Sequence, residues 1–228
     1  MRILKAIALL LEYPDPALWD SRDELLTLFR AEHPALLPVV ERYVATKTLD
    51  KQAEWCAIFD RGRTMSLLLF EHVHAESRDR GQAMVDLLAQ YEQAGLQLNC
   101  RELPDYLPLY LEYLSLQEEP DAREGLNDIA PILALLGGRL KERNSDFSEL
   151  FDALLSVANS PLRSDSVASQ VAAEQPDDTR EAMDAIWEEE QVKFIGNSAC
   201  DVAAQQHQRR FSQQTAPQYL DLSVGGRE

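Results

Sequence analysis

Between its turn-forming residues the chain places apolar side chains three and four apart almost everywhere. Nowhere does it alternate apolar with polar residues long enough to build a half-buried strand. In LPDYLPLYLEYL, for example, Leu107, Tyr110, Leu111 and Leu114 fall on a single stripe. This periodicity dictates an all-α fold in which the helices must bury their stripes against one another. The spacing predicts helices over residues 2–12, 16–31, 35–46, 50–60, 64–76, 77–94, 105–117, 121–143 with a break at Pro131, 146–159, 164–174 and 178–195. A chain of 228 residues with 45% hydrophobic content is long enough for one substantial core. We therefore expect a compact single-domain helical bundle over 1–195. Beyond Ile195 the pattern dissolves into a stretch rich in Gln, Ser and Ala, which reads as an irregular, mostly extended tail over 196–228.

Punctuation supports the same division. Gly95 follows YEQA where a helix finishes on a left-handed residue. Asp50, Ser77, Asp105 and Asp146 stand where side-chain oxygens cap exposed amides, and a cap at Asp105 puts Pro108 in the first turn, where its missing N–H costs nothing.

Electrostatics narrows the partners. A net charge of -17 repels phosphate backbones, which argues against nucleic acid and favours a basic or amphipathic peptide. The segment DDTREAMDAIWEEE concentrates that charge, with seven acidic residues against Arg180 alone; Met183, Ile186 and Trp187 form its apolar stripe, with Phe194 beyond. The opening stretch MRILKAIALLLEYPDP is interrupted by Lys5 and stopped by Glu12, so it reads as a short helix packed through Ile3, Leu4, Ile7, Leu10 and Leu11 and not as a signal peptide. No apolar run approaches the roughly 20 residues of a membrane span, so no membrane insertion is expected. Cys56, Cys100 and Cys200 are odd in number and form no CxxC, which suits reduced thiols in the cytoplasm.

Chemistry-bearing patterns are sparse. In DRGRTMSLLLFEHVHAESRDRG, a helix would put His72 and Glu76 on one face and His74 on another. A structural zinc site needs four convergent ligands and a catalytic one three, and neither His33 nor His207 supplies a patterned supplement, so no metal site is expected. Gly137 and Gly138 lie inside an apolar helical pattern without the lysine and hydroxyl of a phosphate loop, and no GxSxG elbow occurs. These absences argue against an enzyme. Leu67 to Phe70 are apolar all round a helical turn, which predicts an enclosed helix.

Three long blocks carry a more specific signal: FDRGRTMSLLLFEHVHAESRDRGQAMVDLLAQYEQAGLQLNCRELPDYLPLYLEYL, DIAPILALLGGRLKER and IWEEEQVKF. Together they resemble the NarJ/NarW family, the molybdenum cofactor assembly chaperones of membrane-bound respiratory nitrate reductase, and most nearly its NarW branch. The likeness covers most of residues 1–225. It implies a compact helical protein of the group that matures twin-arginine redox enzymes, cytoplasmic, with neither catalytic activity nor a cofactor of its own. Such a chaperone binds the apo form of the catalytic alpha subunit through its N-terminal segment and holds it until molybdopterin guanine dinucleotide is inserted. It also delays attachment to the membrane anchor and is absent from the finished enzyme.

The acidic-Pro-Asp-His element of the wider group corresponds to Glu102, Pro104, Asp105 and Tyr106, with tyrosine in place of histidine. On this resemblance, an amphipathic client helix is expected in a groove between the 67–74 helix and the helix beginning near Tyr106. Its expected contacts are Glu71, His74, Arg78, Glu102, Asp105, Tyr106, Leu107, Tyr110 and Leu114. An acidic helical adaptor with no role in cofactor insertion is the alternative reading.

Overall fold

The apolar stripes become helices that enclose one core. The computed structural model describes residues 1–73, 79–98, 102–174 and 177–185. The chain divides into a unit of residues Met1–Asp178 and a second of Thr179–Glu228, within which residues 180–185 are helical. The first unit contains α1 (Arg2–Leu11), α2 (Pro16–Asp20), α3 (Arg22–Glu32), α4 (Leu37–Ala45), α5 (Thr48–Phe59), α6 (Asp79–Gln93), α7 (Leu107–Ser115), α8 (Glu119–Asp128), α9 (Ala130–Glu142), α10 (Ser148–Val157) and α11 (Ala168–Val171). No strand forms among the described residues; one isolated antiparallel bridge joins Leu68 to Tyr106. Nor is any described helix long and apolar enough to cross a membrane.

The N-terminal run is core, as its pattern predicts. Leu4, Ile7 and Leu11 of α1 are fully enclosed, each burial contributing about 1.5–3 kcal/mol. The helix runs antiparallel to α7: the N-terminal ammonium donates to the Ser115 carbonyl, and Lys5 pairs with Glu112 at 2.9 Å. Elsewhere in this unit α9 packs on α10, and a turn at Ser164–Val167 lies against α9. Glycine permits that approach. A Cβ on Gly137 would stand 2.1 Å from Ser164 Oγ, and one on Gly138 would stand 2.8 Å from Val167 Cγ2.

Several boundaries shift for identifiable reasons. The 16–31 helix divides at Ser21, and its first piece is capped by Asp15, whose carboxylate accepts from the Ala17 amide at 2.7 Å. The 121–143 helix divides at Ile129 because Pro131 occupies the first turn of α9. Gly95 is left-handed at φ 76° and ends α6 as expected. The expected caps fare differently. Asp50 falls within the first turn of α5, Tyr106 takes the cap position of α7 in place of Asp105, and Asp146 holds Arg42 through two bonds of 2.8 and 2.9 Å; Ser77 lies outside the described residues.

The largest departure falls in the expected 64–76 helix, whose described residues, 64–73, form no α-helix. Residues 60–73 run as turns and bends with one short 3-10 turn at Leu69–Glu71. The backbone there bonds to a distant segment: Leu69 N–H donates to the Asp105 carbonyl at 2.9 Å, and Leu107 N–H donates to the Leu67 carbonyl at 2.8 Å. Tertiary pairing thus overrides the helical propensity of a leucine-rich run. Leu67 and Leu69 are still buried, whereas Leu68 and Phe70 are half-exposed, so the enclosure expected all round is one-sided.

Arg139 ties this loop to the bundle. Its guanidinium donates to both Glu174 carboxylate oxygens, at 2.7 and 2.9 Å, and to the Thr64 carbonyl at 2.5 Å. Asp177 adds a second tether by accepting from the Thr64 amide at 2.8 Å and from its hydroxyl.

Candidate functional site

The 67–71 segment and the start of α7 meet at the Leu68–Tyr106 bridge, which brings distant parts of the chain together. Asp105 organises the junction from inside. It is wholly enclosed; its Oδ2 accepts from the Phe70 amide at 3.0 Å, and its Oδ1 has no hydrogen-bond partner among the described residues. A buried amide without an acceptor is costly, so this carboxylate fixes the loop's path. Tyr91 supports the same turn from α6 by donating its hydroxyl to the Pro104 carbonyl at 2.8 Å.

The expected site residues separate into two layers. Leu107 and Leu114 are enclosed and Tyr110 is buried, with its hydroxyl donating to the Gly125 carbonyl at 3.3 Å. These three and Asp105 therefore form the backing of the surface and not its wall. Tyr106 and Glu71 are half-exposed and Glu102 is exposed. Glu71 pairs with Arg80 at 3.5 Å. His74 and Arg78 lie outside the described residues, as do Glu76, Cys100 and Cys200.

Glu12 is a member of this surface that the sequence pattern does not disclose. It follows the last turn of α1, and the α1–α7 packing carries it towards Glu102 and Glu112. Burial first, and then the charges of Glu112 and Glu102, hold its carboxyl above the usual range, with Lys5 opposing. The Tyr106 phenol is likewise pushed up by burial and then by Glu12 and Glu102. Two carboxylates, Glu12 and Glu102, thus lie near one half-buried aromatic ring. Phe70 and Leu103, the latter 40% exposed, supply apolar surface beside it.

His72 is explained without a ligand role. Its Nε2 donates to the Ser66 carbonyl at 2.8 Å, and its pKa is lowered chiefly by burial. Among the described residues no group of three or more His, Cys, Asp or Glu side chains is placed to hold a metal ion. Carboxylates beside half-exposed aromatic rings and an exposed leucine suit a different task, the binding of a basic amphipathic segment.

The profile of the nitrate reductase delta subunit family matches residues 22–156. The chain is 63% identical to the Probable nitrate reductase molybdenum cofactor assembly chaperone NarW of Escherichia coli (strain K12), over 99% of both chains. It is 56% identical to the nitrate reductase molybdenum cofactor assembly chaperone NarJ of the same strain, over 98% of both. A more distant similarity, 29% identity over 74% of this chain and 94% of the other, links it to the Probable nitrate reductase molybdenum cofactor assembly chaperone NarJ of Bacillus subtilis (strain 168).

Proposed function

The chain belongs to the nitrate reductase delta subunit family, and from that premise we propose that it is an assembly chaperone for nitrate reductase and not a catalyst. It acts in the cytoplasm on the apo form of the catalytic alpha subunit. It holds that client while molybdopterin guanine dinucleotide is inserted, delays attachment to the membrane anchor, and leaves before the enzyme is complete. The cofactor is cargo for the client, and the chaperone keeps none of its own. The observation that carries this reading is the 63% identity over the full chain to a protein named for that assembly role.

The basic N-terminal segment of the client docks as an amphipathic helix on the surface around Tyr106. Phe70, Leu103 and Tyr106 receive its apolar face, while Glu12, Glu71 and Glu102 meet its cationic side chains. Asp105, Leu107, Tyr110 and Leu114 hold this surface from behind, and His74 and Arg78 are further proposed contacts. A complex of micromolar strength needs about 8 kcal/mol. Exposed ion pairs contribute at most about 1 kcal/mol each, so apolar contact supplies most of the affinity. The carboxylates fix orientation and accelerate encounter.

Calorimetry with a peptide of the client's N-terminal segment tests the proposal. Saturable binding that weakens in Tyr106→Ala is expected, and no heat at tens of micromolar peptide refutes it.

A further inference from the structure

Helix α5 turns an uncharged face to solvent. Residues three and four apart share one side of a helix, and Leu49, Gln52, Ala53, Cys56 and Ala57 form such a side. Leu49 is 75% exposed, Ala53 and Ala57 are exposed, and Gln52 and Cys56 are half-buried. The opposite side, with Lys51, Ile58 and Phe59, is already enclosed. An amphipathic surface helix carries its charges outward, so an uncharged outer face in a chain with 27% charged residues marks a contact surface.

Aromatic rings extend this face towards the end of α1. Tyr13, 50% exposed, meets half-buried Trp55 edge to face, with ring centroids 5.5 Å apart. Two bonds fix the segment after α1 in place: Trp55 Nε1 donates to the Leu11 carbonyl at 2.8 Å, and Gln52 Nε2 donates to the Pro14 carbonyl at 2.8 Å. Glu12 between them is extended, at φ -64° and ψ 162°, and successive side chains of an extended chain leave on opposite sides. Glu12 accordingly lies near Tyr106 and Glu102, while Tyr13 lies on Trp55. Residues 12 and 13 are thus the shared border of the Tyr106 surface and the α5 face.

This continuity decides what covers the face. Glu12 and Glu102 form no ion pair among the described residues, whereas Glu112 is held by Lys5 and Glu71 by Arg80. A cationic side chain drawn to Glu12 arrives at the border, with apolar surface on both sides of it. The α5 face itself adds no preference for charge, since Lys47 and Asp60 cap its two ends with opposite signs; it adds apolar contact. We propose that the client helix continues past Tyr106, over Glu12 and onto α5, where Leu49, Tyr13 and Trp55 receive a second set of its apolar side chains. This extension rests on the docking of the client at Tyr106.

Calorimetry with the client's N-terminal peptide, together with alkylation of Cys56 in the full chain, tests it. At a peptide concentration ten times the dissociation constant, iodoacetamide should modify Cys56 about tenfold more slowly, as read by mass spectrometry of the digested chain. Leu49→Gln and Ala53→Gln, neutral changes at exposed positions, should each weaken binding about fivefold or more and leave the circular dichroism spectrum and melting temperature unchanged. Suppose the peptide binds and Tyr106→Ala weakens it, but both glutamine variants bind like the parent chain and Cys56 reacts at an unchanged rate. The extension is then overturned while docking at Tyr106 stands. A parent chain that binds no peptide removes both. Should Leu49→Gln instead abolish self-association in sedimentation equilibrium and leave peptide binding intact, the face belongs to a second copy and the extension is likewise overturned.

Discussion

Replacing Asp105 separates the two layers of the site. The Asp105→Ala variant removes the wholly enclosed acceptor of the Phe70 amide. An unsatisfied buried amide costs about 1–3 kcal/mol. For a unit of about this size each kcal/mol shifts the melting temperature by about 2–4 °C, so a drop of about 2–12 °C is expected. The Asp105→Asn variant retains an oxygen for that amide and should lose no more than about 1 kcal/mol. Urea unfolding followed by circular dichroism reads both, and the slope should stay unchanged if only stability is altered. Because Asp105 is enclosed, the Asn variant should also bind the client peptide nearly as the parent chain does. Equal losses in the two variants, or an Ala variant as stable as the parent, would refute the structural role assigned to this carboxylate.

Other substitutions probe neighbouring features. Glu12 binds its proton more tightly in the folded chain than in the unfolded one, so its ionised form opposes folding above the raised pKa and has no such effect below the ordinary value of 4.5. Glu12→Gln should therefore raise the melting temperature at pH 7, leave it unchanged well below pH 4.5, and weaken capture of a basic peptide; a lower melting temperature at pH 7 would contradict the crowding of charge described here. Arg139→Ala removes two charge-assisted bonds to Glu174 and one to the Thr64 carbonyl. A loss of about 1.5–3 kcal/mol follows, with faster amide exchange concentrated in residues 60–66, whereas uniform exchange would rule out the tether. Gly137→Ala forces a Cβ to within 2.1 Å of Ser164 Oγ. The overpacking costs about 1–3 kcal/mol, which outweighs the gain in helix propensity of up to about 1 kcal/mol; a stabilised variant would show that the Ser164 turn moves freely.

The helical class was legible because stripes such as Leu4, Ile7 and Leu11 repeat at helical spacing and bury as that spacing requires. Gly95 announced its left-handed turn for an equally local reason. Residues 64–73 misled because leucine-rich runs favour helix, while the bonds that decide their path come from Asp105 and Leu107, more than thirty positions away. The family blocks drew attention to Glu102, Asp105 and Tyr106, yet periodicity could not show that Asp105 faces inward. Glu12 left no trace, since its approach to Glu102 depends on how α1 packs against α7. Local pattern determines which residues are helical, and long-range packing determines which of them meet at the surface.

The central claim is that this chain prepares nitrate reductase to receive its molybdenum cofactor by holding the apo alpha subunit at the surface around Tyr106. The most direct measurement is the molybdenum content of nitrate reductase purified from cells that lack the chain, and from the same cells supplied with the parent sequence or with a combined Glu12→Gln, Glu102→Gln, Tyr106→Ala variant. The account predicts metal-poor enzyme without the chain, full occupancy with the parent sequence and low occupancy with the variant. Equal molybdenum content in all three preparations would contradict it and identify the chain as an acidic helical adaptor.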